Sequence, residues 1–151
     1  MNNEFIDRLV TQLPDFEPAR PLDETALRYA GYYGIDFTPV ASQHLGLVRI
    51  DGFDLAMQVW KPSKPRGSLL ILHGYYDHMG LYKHLIRWAL RHDLAVLALD
   101  LPGHGLSSGE RASIDCFLPA GPGCSAGTGG AVATAGALAL AWTDYRWGDP
   151  D

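Results

Sequence analysis

Along the chain the apolar positions change rhythm, and each rhythm predicts a different element. From Asn3 to Val10, the residues Phe5, Ile6, Leu9 and Val10 recur at helical spacing, with Asn2 or Asn3 as a cap. Pro14, Pro18 and Pro21 then break the chain. Asp23 to Ala30 predicts a second short helix, capped by Asp23 and ended by Gly31 and Gly34. Next come two stretches with a period of two, His44 to Ile50 and Phe53 to Trp60. In the second, Phe53, Leu55, Met57 and Val59 alternate with Asp54, Ala56, Gln58 and Trp60, so one face is apolar. Asp51-Gly52 between them is a two-residue hairpin turn, because glycine tolerates positive φ. Lys61 to Gly67 carries two prolines and reads as a solvated loop.

The rhythm then becomes continuous. Ser68-Leu69-Leu70-Ile71-Leu72 and Leu94 to Leu99 are unbroken apolar runs, as strands covered on both faces would be. Between them, Leu81 to His92 has helical spacing, with Leu81, Leu85, Trp88 and Ala89 aligned and Trp88 assigned to the core. Strand, helix, strand makes a βαβ unit with parallel strands. The predicted fold class is therefore α/β: an antiparallel hairpin leading into a parallel sheet with a crossover helix. In such sheets ligands bind beyond the carboxyl ends of the strands. Two loops leave those ends. One is His73-Gly74-Tyr75-Tyr76-Asp77-His78; the other runs from Asp100 to Gly109. They hold three of the six histidines.

Composition sharpens this picture in one place. The 151 residues carry 12 basic and 17 acidic side chains, for a net charge of −5, which leaves no basic footprint for nucleic acid. No apolar run reaches the roughly 18–20 residues of a membrane-spanning helix, and the first residues lack the pattern of a signal peptide. A cytoplasmic location is the expectation. Residues 118–151, however, are unlike the rest. Eight of those 34 are Ala and seven are Gly, and the segment has no Lys, Glu or His. We divide the chain into 1–117, an ordinary globular sequence, and 118–151, a Gly/Ala-rich tail that reads as out of frame or disordered.

The loops carry the chemistry. Leu70-Ile71-Leu72-His73-Gly74, then Asp77-His78, then Asp100-Leu101-Pro102-Gly103-His104-Gly105-Leu106-Ser107-Ser108-Gly109-Glu110-Arg111 resembles the α/β-hydrolase superfamily. The similarity is greatest to its serine aminopeptidase-like branch of lysophospholipases and monoacylglycerol lipases. It covers about three-quarters of the chain, 1–117, and corresponds to the N-terminal part of such a hydrolase. The HG dipeptide alone is weak; HG after an apolar strand, with D-x-x-G-H-G-x-S-x-G after the next, is specific. The resemblance implies hydrolysis of a carboxylic ester through an acyl-serine, with no cofactor and no metal, and with a small lipid or ester as substrate. It implies that the backbone N–H of Tyr75 is an oxyanion-hole donor, that Gly74 lets the backbone approach the reacting carbonyl, and that Tyr76 borders the acyl pocket. His73, Asp77, His78, Gly103, His104 and Gly105 belong to the motif loops, and a structural role satisfying backbone groups is open for each of the polar ones.

The nucleophile is harder to place. The elbow G-x-S-x-G sits between a strand and a helix. Gly105-Leu106-Ser107-Ser108-Gly109 matches literally but has no helical pattern after it, so Ser107 reads as a loop residue. Gly123-Cys124-Ser125-Ala126-Gly127 also matches, and Gly129 to Trp142 after it has the pattern of a small-residue helix, which makes Ser125 the candidate nucleophile. Against Ser125 stand Pro119 and Pro122, which exclude a central strand before it. The family order puts an acid and then a histidine after the serine, and there is no histidine beyond His104. The expectation is a truncated, catalytically incomplete chain. Three alternatives remain: a metallohydrolase using His73, Asp77 and His78, in which Tyr75 stands where a further His ligand is needed; a nucleotide site at Gly103-x-Gly105-x-x-x-Gly109, whose last glycine is one position late; and a non-enzymatic binding fragment.

Overall fold

The computed structural model describes residues 3–18, 20–111 and 138–142. Two helices lead: α1 (Asn3–Gln12) and α2 (Glu24–Tyr33). Asp23 caps α2 as its sequence predicts, its carboxylate accepting from Ala26 N at 2.8 Å, a contact typically worth about 1 kcal/mol. The helix ends at Gly34, which is left-handed with φ 68°. Gly31 lies inside the helix rather than at its end, because the chain closes one turn later.

The hairpin is as expected, slightly longer: β1 (Ser42–Ile50) and β2 (Phe53–Lys61), in register from Ser42↔Lys61 to Ile50↔Phe53. Its turn residues Asp51 and Gly52 both have positive φ, the backbone that a right-twisted two-residue hairpin demands. Next come β3 (Gly67–Leu72), a 3-10 turn at Met79–Tyr82, α3 (Lys83–Arg91) and β4 (Leu94–Leu99). β3 and β4 are parallel from Gly67↔Leu94 to Leu72↔Leu99. β4 also pairs antiparallel with β2, and β5 (Leu138–Trp142) pairs antiparallel with β3, so the sheet order is β1-β2-β4-β3-β5. The tail enters the description only as β5, so Leu138–Trp142 is strand where the sequence suggests helix, and 129–137 lie outside the described residues. Ser125, Cys116 and Cys124 lie outside the described residues.

Pairing fixes which side chains share a face. Leu69, Ile71, Val96 and Ala98 point to one side together with Gln58 and Trp60 of β2, and Ile86, Ala89 and Leu90 of α3 join the same core. Trp60 is fully buried and donates through Nε1 to Ile35 O at 2.8 Å. The polar face of β2 is not solvated: Ala56, Gln58 and Trp60 are all fully buried, because β2 sits between β1 and β4 rather than at an edge. Conversely, β3 is not sealed on both faces; Leu69 and Ile71 are buried while Leu70 and Leu72 are only half-buried. Trp88 is also misplaced by the helical pattern. The buried stripe of α3 runs through Ile86, Ala89 and Leu90, which turns Trp88 outward, 51% exposed, with Leu81 at 52%. No helix among the described residues is long and apolar enough to cross a membrane.

Candidate active site

β3 and β4 end side by side, so the two motif loops emerge together at the carboxyl edge. Asp100 organises them. Its carboxylate is fully buried and accepts from Met79 N at 2.7 Å and from Leu106 N at 2.9 Å. One oxygen thus holds the segment after the first loop and the other holds the second loop. Burial pushes the Asp100 carboxyl up from the usual range, against the lowering effect of those two N–H groups.

His73 makes the second connection. Its Nδ1 bonds Gly74 O at 2.8 Å and its Nε2 accepts from Leu101 N at 2.9 Å. Nδ1 must therefore carry the proton and Nε2 the lone pair. Burial depresses the imidazole below the ordinary histidine range. Although Nε2 lies 3.8 Å from Asp100 Oδ1, a neutral ring makes no ion pair there. His73 is a brace between the loops.

The second loop is tied down as thoroughly. Ser107 Oγ donates to Asp100 O at 2.6 Å and receives Ala56 N at 2.9 Å. Ser108 Oγ receives Asp54 N at 2.8 Å, and Ser108 N donates to Asp54 O. Ser107 is buried with its hydroxyl fully engaged, which agrees with its reading as a loop residue and not a nucleophile. Gly103 and Gly105 have φ of 72° and 50°; a Cβ on Gly105 would land on the Asp100 carboxylate. Because Gly103 N bonds Ser108 O and Leu106 N bonds Asp100, these two amides are turned inward, and no helix starts among the described residues of this loop. The nucleotide-site alternative therefore loses two of its phosphate donors. His104 is buried, its Nδ1 bonded to Pro102 O at 2.8 Å and its Nε2 without a partner among the described residues.

The first loop differs. Gly74-Tyr75-Tyr76-Asp77 is a turn closed by Asp77 N to Gly74 O at 3.1 Å. Tyr76 has φ 65° and is 74% exposed; Tyr75 is 43% exposed. A positive φ at the third position only is the type II pattern. Tyrosine gains nothing from that backbone, so it is strained, and such strain clusters where function needs it. The Tyr75 ring meets Tyr76 at 4.2 Å and His104 at 5.7 Å between centroids. Below the turn, Tyr82 donates to Asp77 Oδ2 at 2.9 Å and stands 3.4 Å from Gly74 N. No motif in the sequence marks Tyr82.

His78 caps the 3-10 turn, its Nδ1 accepting from Gly80 N at 3.2 Å. Burial lowers its affinity for a proton, with nearby Asp100 opposing. It borders an open groove of about 380 Å³ with Tyr29, Tyr33, Leu106 and Arg111, which neither Tyr75 nor Tyr76 lines. The metallohydrolase alternative fails on donors. Both His73 nitrogens are committed, Asp77 is held by Tyr82, and among the described residues no three His, Cys, Asp or Glu side chains gather as for a metal ion.

Similarity to known proteins follows the same loops. Residues 63–118 match the family described as serine aminopeptidase, S33. That segment is similar to α/β-hydrolase sequence. A human monoglyceride lipase is 40% identical over 72 residues, 47% of this chain and 24% of the relative. A monoacylglycerol lipase of Mycolicibacterium smegmatis is 40% identical over 63 residues, 41% of this chain and 22% of the relative. A zebrafish (Danio rerio) serine hydrolase-like protein is 46% identical over 55 residues, 36% of this chain and 16% of the relative. The chain thus spans about a quarter or less of the length of these relatives. The fold is consistent with part of an α/β-hydrolase, and the matched relatives support a lipase- or esterase-type hydrolase family.

Proposed function

We propose that the chain is the N-terminal part of a serine hydrolase of carboxylic esters, with a monoacylglycerol or lysophospholipid as substrate. The turn at Gly74-Tyr75-Tyr76 carries this reading: a strained, exposed turn clamped to buried strands beneath it. In the reaction, a serine oxygen attacks the ester carbonyl and negative charge collects on the carbonyl oxygen. The Tyr75 N–H is the donor for that oxygen, Gly74 lets it come near, and Tyr76 borders the acyl chain. Fixing such a dipole beforehand is worth roughly 10²–10³ in rate per donor. The names of the relatives support a glycerol ester of a fatty acid. The motif residues Asp100, His73, Gly103, His104 and Gly105 position the turn and do not touch substrate.

The same reading holds that these 151 residues alone contain no complete triad. Ser125 has a G-x-S-x-G setting, but no histidine follows His104. Two measurements test this. A fluorophosphonate probe should leave the purified chain unlabelled; labelling that disappears in Ser125→Ala overturns the incomplete triad. Sequencing the coding DNA from codon 110 onward and translating all three frames should recover an elbow followed by an acid and a histidine. The chain continued in that frame should hydrolyse monoacylglycerol. Tyr75→Pro should then cut kcat about 10²-fold or more by deleting the N–H, since proline suits the second position of a type II turn. An unchanged kcat removes Tyr75 from the oxyanion hole.

A further inference from the structure

The outer face of α3 is unlike the rest of the surface. Seen down the helix axis, Ile86, Ala89 and Leu90 face the core, and Lys83, His84, Arg87, Trp88 and Arg91 fan across the opposite side. From Met79 to His92 there are three cations and no carboxylate, in a chain whose net charge is −5. Arg66 extends the patch: it is exposed, and its N–H bonds Asp93 O at 2.8 Å just past the helix end. Trp88 and Leu81 stand about half exposed in this field. The Trp88 indole stacks on His92, with 4.4 Å between ring centroids, and this orders it without covering it. Two of the cations are already positioned by packing. Arg87 lies over the Phe37 ring at 5.8 Å, and the Lys83 stem runs past Gly34. Carboxylates around the face are engaged or off the helix: Asp77 accepts from Tyr82, Asp36 beside Phe37 is occupied by Thr38 and Gln43, and Asp93 follows the helix end.

A cationic helix face with an exposed tryptophan and leucine fits one surface chemistry closely: anionic phosphate headgroups above a hydrocarbon boundary. We propose that the outer face of α3 docks the protein on an anionic lipid surface, with Trp88 and Leu81 entering the headgroup boundary and Lys83, Arg87, Arg91 and Arg66 meeting the phosphates. The proposal goes beyond the hydrolase reading and does not need a complete catalytic site.

Co-sedimentation of the full chain with vesicles tests it without any activity readout. Vesicles of phosphatidylcholine containing phosphatidylserine should carry the chain down, and phosphatidylcholine alone should not. High salt should release it. Lys83→Gln with Arg91→Gln should weaken binding on the order of 20-fold, and Trp88→Ala about tenfold. All three residues are exposed, and circular dichroism checks that each variant keeps its fold. No sedimentation with the anionic vesicles, or sedimentation that these variants leave unchanged, overturns the proposal; so does capture by phosphatidylcholine alone. Binding lost on the charge variants but retained by Trp88→Ala also overturns it, because that is what a purely acidic partner surface predicts.

Discussion

The two loops at the carboxyl edge of the sheet solve opposite problems. From Asp100 to Gly109, side chains point inward and bond backbone: the Asp100 carboxylate takes two N–H groups, and the Ser107 and Ser108 hydroxyls each take one from β2. From Gly74 to Tyr76, the chain turns outward, exposes two aromatic rings and holds one of them at a φ that disfavours it. The second loop spends polar residues on rigidity. The first is held in a costly shape by that rigidity, with His73 joining the two. Histidine, aspartate and serine in a motif are easily read as chemistry. Here the polar residues of the second loop form the scaffold, and a backbone amide in the plainer first loop is the candidate for chemistry.

The contrast breaks most visibly at Gly105. An alanine there would need φ 50° and would place its Cβ on the Asp100 carboxylate. Moving that carboxylate leaves the N–H groups of Met79 and Leu106 buried and unpaired. Gly105→Ala should therefore cost more than about 3 kcal/mol in urea denaturation. Gly52→Ala is the control. It has φ 83° in the hairpin turn, with nothing within reach of the new Cβ, and should cost only about 1 kcal/mol from the backbone. Equal losses at the two sites mean that Asp100 can yield, and that the second loop is not the rigid partner.

A smaller effect comes from acid. His73 must stay neutral to accept from Leu101 N, and burial depresses its proton affinity. Its contribution is complete above the unfolded value near 6.5 and is lost as pH falls through the depressed folded value. His78 is shifted the same way by burial. Asp100 runs opposite: raised by burial, its contribution is complete below the ordinary carboxylate value and fades as pH rises through the elevated one. As pH falls from 7 to 5, His73 and His78 lower the denaturation midpoint and Asp100 raises it, so the test is the difference between variants. In His73→Asn, whose amide keeps a donor and an acceptor, the midpoint should lose less over that range than in the wild type. A pH dependence that His73→Asn leaves untouched means that His73 is not the brace between the loops.

How much of this was legible depends on where the information lies. The Asp51-Gly52 turn, the Asp23 cap and the βαβ unit were readable because each rests on local chemistry within a few residues. The burial of Gln58 and the exposure of Trp88 were not. Gln58 is buried because β4 returns to pair with β2 on the side away from β1, a long-range event with no local mark. Trp88 faces out because the buried stripe of α3 runs through Ile86, Ala89 and Leu90, and size made the indole look like core. At the site, the motif named the right loops. Only the hydrogen bonds show that His73 and Ser107 brace the backbone, and that Tyr82 supports the turn from beneath.

The finest test of the contrast lies in the turn itself. Tyr76 carries two opposing contributions: a left-handed backbone worth about 1–2 kcal/mol against it, and a ring contact with Tyr75 at 4.2 Å worth about 0.5–1.5 kcal/mol in its favour. A single substitution mixes them, and a pair separates them. Tyr76→Ala removes the ring and keeps the backbone strain; Tyr76→Gly removes both. Glycine should therefore be more stable than alanine by about 1 kcal/mol, while wild type lies close to glycine because its two contributions nearly cancel. If alanine and glycine melt together, the turn is unstrained, and the second loop has no costly shape to enforce.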